Sequence, residues 1–374
     1  MPNTSRQNDF IDIGKGEFAR NPIAVISKID NATFGISNVT IDGVHCVYLN
    51  DPALIRAVLA TQWQQFRKEF GYKKSRTLIQ SDMFSPSIVW PTPQEFTSVL
   101  VQLRSIVSEF IYRTGSQVDD LYSWCRQLTM EIFVRTLLKG CIPANVSQAE
   151  LEAATIRTID LLGRIILKFP ENIDCADDED GDAHNELRHY ARFFQQHCTD
   201  IHATTGRAMT TILAGYEQMA SIMYWMIVHF AERPLREMPY VTKKQYVDEV
   251  IRLHSPIWTI MRRPKYNVHI TDNVLPIQSV VITSPWLMAR NERYFWEPDM
   301  FRPERWKAPI ETFAFFPFSH GPRACKGEVF VRATLHALLN ELEHKAPVLC
   351  KTAQCLHVVK VSAVPAQTLQ VNFR

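Results

Sequence analysis

The sequence predicts a mainly α protein with small β-sheets, organised as one domain over residues 1–374. Three observations lead there. Apolar residues recur at helical spacing through most of the chain. Strand-like runs are short, with a pair between Ala32 and Asn50. More than half of all the prolines lie between Pro234 and Pro322, which breaks the last third into a helix, short strands and a long ordered coil. No internal repeat or low-complexity linker marks a domain boundary.

In chain order, Ala-Thr-Phe-Gly-Ile and His-Cys-Val-Tyr-Leu flank the turn residues Asp42-Gly43 and predict a hairpin. Asp51-Pro52 caps a helix expected from Ala53 to Lys68. Residues 70 to 93 read as an irregular aromatic loop, long enough to expect a functional role. Helical spacing returns over Gln94–Arg113, Val118–Leu138 and Ser147–Lys168. The acidic stretch Asp174 to Glu186 fails the calcium-loop pattern, because Gly181 at the sixth position puts Ala176 first and Leu187 twelfth. It reads as a solvated loop. A long helix follows from about Ala203 to Phe230.

Composition narrows the function classes. The chain is 46% hydrophobic and 21% charged, an ordinary globular balance, and is long enough to bury a large core. A net charge of +2 gives no sign of a nucleic acid or anionic membrane partner. Eight scattered cysteines, at 46, 125, 141, 175, 198, 325, 350 and 355, form no CxxC pair or tight even framework. That pattern suits reduced cytoplasmic thiols better than disulfides or zinc. The N-terminus lacks the form of a signal peptide. The apolar run from Thr211 to Phe230 could span a bilayer by length but carries Glu217 and Gln218, so a helix buried in protein is expected.

Phe318 to Gly327, Phe-Ser-His-Gly-Pro-Arg-Ala-Cys-Lys-Gly, presents one thiol and runs into a helical pattern from Glu328 to Leu342. A thiol at a helix start meets the positive end of the dipole and free N–H groups, which favour thiolate. Cys325 is thus placed as a metal ligand or a nucleophile; by this loop alone a structural turn cysteine fits equally well. Two further motifs precede it. Glu249 and Arg252 share a helix face three residues apart, by themselves an ordinary ion pair. Pro303-Glu304-Arg305-Trp306 follows about fifty residues later.

The ordered set Glu-x-x-Arg, Pro-Glu-Arg-aromatic and Phe-x-x-Gly-x-Arg-x-Cys-x-Gly resembles the cytochrome P450 family of heme-thiolate monooxygenases. The resemblance implies the triangular prism of that fold, with heme b between a distal helix and the proximal cysteine loop. It matches Cys325 to the axial thiolate ligand of the iron and Phe318 to the aromatic beside it. Gly321 and Gly327 match the tight turns, and Arg323 and Arg262 the arginines that hold heme propionates. Glu249, Arg252 and Arg305 match a buried charge network behind the cysteine loop. Ala214-Gly215-Tyr216-Glu217-Gln218 aligns with the distal Ala-Gly-x-acid-Thr segment, in which small residues let dioxygen approach the backbone and the acid feeds protons. A small-residue helix contact is the alternative for 214 and 215.

Two departures matter. Gln218 stands where the family has Thr, and an amide is a poor proton relay. Arg104 fits a further propionate contact, but Leu100 occupies the place of its usual His partner. The resemblance places Leu213, Ala214, Gln218, Ile257, Trp258, Thr259, Ile260, Val364, Pro365 and Ala366 around a pocket with the 70 to 93 loop, under a lid at 174 to 186. This implies a bulky hydrophobic or aromatic small-molecule substrate, expected to be a secondary-metabolite intermediate. Lys326, Arg332 and Arg104 imply a basic face for an acidic ferredoxin served by a ferredoxin reductase. A cytoplasmic monomer that uses dioxygen and two electrons is expected. The alternatives are coupling, cyclisation, rearrangement or peroxide-dependent chemistry, or a non-catalytic heme sensor or carrier.

Overall fold

The computed structural model describes residues 11–14, 16–32, 34–67, 93–138, 146–167, 189, 190, 192, 203–354 and 356–374. The aromatic loop expected over 70 to 93, up to its last residue, and the acidic loop at 174 to 186 lie outside these residues.

The hairpin forms around Asp42-Gly43, both with positive φ (47° and 83°), the combination that lets a two-residue turn match the twist of its strands. Ile36–Ile41 pairs with Val44–Leu49. The first strand starts later than expected because Pro22–Ala32 is a helix and Gly35, at φ 96°, redirects the chain. The hairpin lies inside a six-stranded sheet in the spatial order Ile11–Ile13, Ile36–Ile41, Val44–Leu49, Val280–Thr283, Ile260–Pro264 and Phe66–Arg67.

The helix expected from Ala53 to Lys68 is cut short. Asp51 caps it, accepting from the Ala53 and Leu54 N–H groups at 2.8 and 3.2 Å, with Pro52 in the first turn. After Arg56 it widens to a π turn over Ala57–Thr61, tightens over Trp63–Gln65 and becomes strand at Phe66. Tertiary contacts claim the groups that a continued helix would use. The Gln65 carbonyl accepts from Lys265 N–H at 2.8 Å, the Phe66 carbonyl accepts from Arg323 Nη2 at 2.9 Å, and the Phe66 ring is fully buried.

The remaining helical expectations hold to within a few residues: Pro93–Arg113, Leu121–Arg135, Gln148–Leu167, Ala203–Glu232 and Glu328–His344. The 30-residue Ala203–Glu232 helix packs on Leu121–Arg135, Lys243–Leu253 and Glu328–His344, and its Met219–Phe230 segment is buried throughout. Among the described residues no helix is long and apolar enough to cross a membrane. Lys243–Leu253 starts at a capping box in which Thr242 and Gln245 satisfy each other's backbone N–H groups. A second apolar cluster, with Leu59, Phe66, Phe313 and Phe316, lies under the cysteine loop.

Candidate active site

The cysteine loop is held by its own backbone and by the chain beneath it. Cys325 N–H donates to the Phe318 carbonyl at 2.8 Å, and Gly327 N–H donates to Cys325 Sγ at 3.3 Å. Gly327 caps the Glu328–His344 helix, so the sulfur lies at that helix's positive end with a backbone donor aimed at it. Gly321 has φ 75°, and a Cβ there would stand 2.3 Å from the Leu59 carbonyl oxygen, so the loop lies directly on the π turn. Cys325 itself is exposed.

Arg323 and Arg262 meet near this loop. Arg323 Nη1 is buried with no hydrogen-bond partner, and its guanidinium lies 5.0 Å from the Trp63 ring centre. Arg262 is buried, donates to its neighbour's carbonyl, Met261 O, at 2.8 Å, and has its pKa pushed down to about 10 by burial and by the charge of Arg323. Among the described residues neither arginine pairs with a carboxylate. Two neighbouring cations, one buried and one with a buried nitrogen, require an anion from elsewhere.

The Glu249–Arg252 pair is no surface ion pair: both side chains have zero exposure, and they make bidentate bonds of 2.8 and 2.9 Å. Glu249 also accepts from Arg302 N–H, Arg305 Nε and Trp306 Nε1 at 2.8, 3.0 and 3.0 Å. Arg252 donates to the Ala289, Pro298 and Met300 carbonyls. One carboxylate and one guanidinium thus fasten the coil from 289 to 306, which leads into the cysteine loop.

On the long helix, Ala214 is exposed and Leu213, Gly215 and Gln218 are partly exposed, while Tyr216 and Glu217 are buried. Ala214 and Gln218, four apart, share the open face. Gln218 Oε1 is buried without a partner. A Cβ on Gly215 would meet the Phe133 ring at 3.0 Å, so close helix packing gives this glycine a reason of its own. Burial pushes the Glu217 carboxyl pKa up, opposed by a 3.0 Å hydrogen bond from Ser362 and by Arg126, whose Nη2 lies 3.8 Å away. Sequence reasoning missed Phe133, Arg126 and Ser362. Arg126 left a trace, a cation inside an apolar helix; Ser362 left none, because its contact spans 145 residues.

The other expected residues divide. Ile257 and Thr259 are partly open, whereas Trp258, 6.0 Å from Phe18, and Ile260 are packed in separate core clusters. Val364 and Pro365 are buried in a C-terminal strand. Arg104 is exposed on a helix that packs against the cysteine helix. Arg332 is tied to Asp248 and Glu328, at 2.5 and 2.8 Å, which offsets its charge on the expected basic face.

Residues 230–345 match the family model described as Cytochrome P450. CYP175A1 from Thermus thermophilus superposes with TM-score 0.72 at 16% identity, over 98% of this chain and 99% of that one. The chain has the cytochrome P450 fold, and residues 230–345 carry that family's sequence pattern. A 6-coordinated cytochrome P450 from Thermus thermophilus superposes with TM-score 0.70 at 18% identity, over 94% of this chain and 98% of that one. Among curated P450 relatives, tryprostatin B 6-hydroxylase of Neosartorya fischeri is 28% identical over 177 residues, covering 38% of this chain and 32% of that protein. Cyclooctatin synthase of Streptomyces melanosporofaciens is 28% identical over 149 residues, 33% of this chain and 32% of that protein. The matched region spans about a third of the length of these two relatives.

A P450 holds a heme-thiolate iron, and the residues present fit that group. Cys325 offers a sulfur with a backbone donor, and Arg323 and Arg262 offer two guanidinium groups that pair with no carboxylate among the described residues, suited to the carboxylates of a porphyrin.

Proposed function

We propose that this P450 is an oxidoreductase that inserts one oxygen atom of dioxygen into a bulky hydrophobic or aromatic small molecule, a secondary-metabolite intermediate. The second oxygen leaves as water, with two electrons and two protons consumed. The electrons come from a ferredoxin-type partner and its reductase, and the chain works as one cytoplasmic domain. The observation that carries the reading is the Cys325 thiol, with its N–H donor from Gly327, beside Arg262 and Arg323, which pair with no carboxylate among the described residues. Names of relatives add weight, since one is a hydroxylase and another a synthase.

When bound as heme b, the cofactor supplies activation of dioxygen. The chain's own residues do the rest. Cys325 holds the iron, Gly327 N–H tempers the charge on the sulfur, and Arg262 and Arg323 orient the ring through its carboxylates. Ala214, Leu213, Gln218, Ile257 and Thr259 contact the substrate, and their mostly apolar surface excludes water. Glu217, whose carboxyl pKa is raised by burial, passes protons toward the open face of the helix.

Gln218, an amide and so a poor proton relay, favours a second reading in which oxygen from dioxygen is not inserted and the product arises by coupling, cyclisation, rearrangement or peroxide use. The carbon monoxide difference spectrum of the reduced protein tests the ligand. Thiolate ligation is expected in the parent and lost in Cys325→Ala; an unchanged spectrum rejects Cys325. Turnover with labelled dioxygen then separates the two readings, since unlabelled product rejects insertion.

A further inference from the structure

We propose that the C-terminal hairpin is a proton-sensitive clamp on the long helix, held at its base by a chain of three histidines and at its tip by Ser362. The inference goes beyond the proposed reaction and does not depend on it.

The hairpin strands His357–Val359 and Ala363–Pro365 form a two-stranded sheet of their own. Their attachment therefore rests on other contacts. At the base, His357 Nε2 bonds His254 Nδ1 at 3.2 Å, and His254 Nε2 bonds His229 Nε2, on the long helix, at 2.6 Å. Trp225 covers the chain, stacking on His254 at 4.0 Å with 7° between planes and on His357 at 4.8 Å. At the tip, Ser362 donates to Glu217 at 3.0 Å, Ser221 donates to the Ala363 carbonyl at 3.1 Å, and Lys360 pairs with Asp160 at 2.6 Å. Glu217 and His229 are about 18 Å apart along the helix, so the two attachments are separate.

A neutral imidazole has one donor and one acceptor nitrogen. His254 uses both of its nitrogens inside the chain, so the three rings share one hydrogen-bond polarity. Hydrogen bonding alone would tolerate one extra proton at His254, but the surroundings oppose it. The charged groups facing His229 and His254 among the described residues are Arg233 from the long helix, Arg252 from the Lys243–Leu253 helix and Arg290 from the segment after Met288. Arg252 is matched by Glu249, Arg290 meets Asp299 at 3.5 Å, and Arg233 meets Glu304 at 3.8 Å. Among the described residues no carboxylate bonds either ring. Burial and these cations keep His229, whose pKa falls to about 3, and His254 neutral.

Release of the hairpin reverses that. The Nδ1 of His254 opens as His357 withdraws, and a solvated imidazole takes a proton near pH 6.5. Acid therefore favours the released hairpin, by up to about tenfold per pH unit below 6.5 through that ring. Above that pH the clamp is closed. Release also withdraws the Ser362 hydroxyl from Glu217.

Hydrogen exchange on the full chain at pH 7.5 and 5.5, corrected for the intrinsic rate, tests this. Protection over 357–365 is expected to fall about tenfold at pH 5.5 while the Lys243–Leu253 helix keeps its protection. His254→Gln, whose amide has a donor and an acceptor for the two neighbouring rings but does not titrate, is expected to show a smaller fall at pH 5.5 than the parent. Ser362→Ala is expected to lower protection at both pH values and keep the fall. Equal protection of the hairpin at both pH values, a fall shared by the whole molecule, or a His254→Gln response equal to the parent's overturns the clamp. The parent comparison stands even if a variant fails to fold.

Discussion

Gly321 stands against Leu59 so closely that a Cβ on the glycine would lie 2.3 Å from the Leu59 carbonyl oxygen. The same residue has φ 75°, in the left-handed region. Gly321→Ala is therefore expected to cost more than the 1–2 kcal/mol typical of left-handed backbone alone, in chemical denaturation. Gly43 is the control. It has φ 83° with nothing within 4 Å of a Cβ, so Gly43→Asn, which tolerates that backbone, is expected to be near neutral, whereas Gly321→Asn is expected to destabilise as Gly321→Ala does.

Glu249, itself fully buried, compensates the fully buried Arg252 and the nearly buried Arg305. Glu249→Gln leaves Arg252 buried without a counter-charge, and loss of one partner of such a pair typically costs about 3–5 kcal/mol. Denaturation midpoints should fall accordingly. A loss below about 1 kcal/mol would mean that the carbonyls of Ala289, Pro298 and Met300 suffice to hold Arg252.

Arg262→Met separates cofactor binding from folding. Removing a buried cation that repels Arg323 should stabilise the heme-free protein, measured by its thermal midpoint. The same change should speed heme loss to a heme-scavenging protein. Slower loss, or a less stable heme-free form, would show that Arg262 has another counterpart.

Burial raises the Glu217 carboxyl pKa above 4.5, so the native state holds its proton more tightly than the unfolded chain. That contribution is fully present below pH 4.5 and lost as pH rises through the folded pKa. Glu217→Gln should therefore match the parent below pH 4.5 and become the more stable of the two as pH rises toward neutrality. Thermal midpoints across that range check it; a variant less stable than the parent at pH 7 would show that Arg126 outweighs burial.

Local signals were legible in the sequence. The Asp42-Gly43 turn, the Asp51-Pro52 cap, the long helix and the cysteine motif are each set by a few neighbouring residues. The Glu249 network was legible only as a resemblance, because nothing in Glu-x-x-Arg says that the pair is buried. The helix expected through Lys68 failed because its pattern is helical while its carbonyls are claimed by Lys265 and Arg323. Ser362 and the three histidines were invisible for the same reason: each contact joins residues far apart in the chain.

Arg323 reaches the Phe66 carbonyl across 257 residues of sequence, and Gly321 rests on Leu59 in the same seam. During synthesis from the N-terminus, the Ala57–Arg67 segment meets its strand partner Ile260–Pro264 only after some two thirds of the chain, and Gly321 and Arg323 later still. Closing so long a loop is entropically slow, which makes this seam a late event in folding. Heme capture at Cys325 thus belongs to a late stage of maturation, and truncation shortly before Gly321 would remove the cysteine loop and leave Leu59 and the Phe66 carbonyl uncovered.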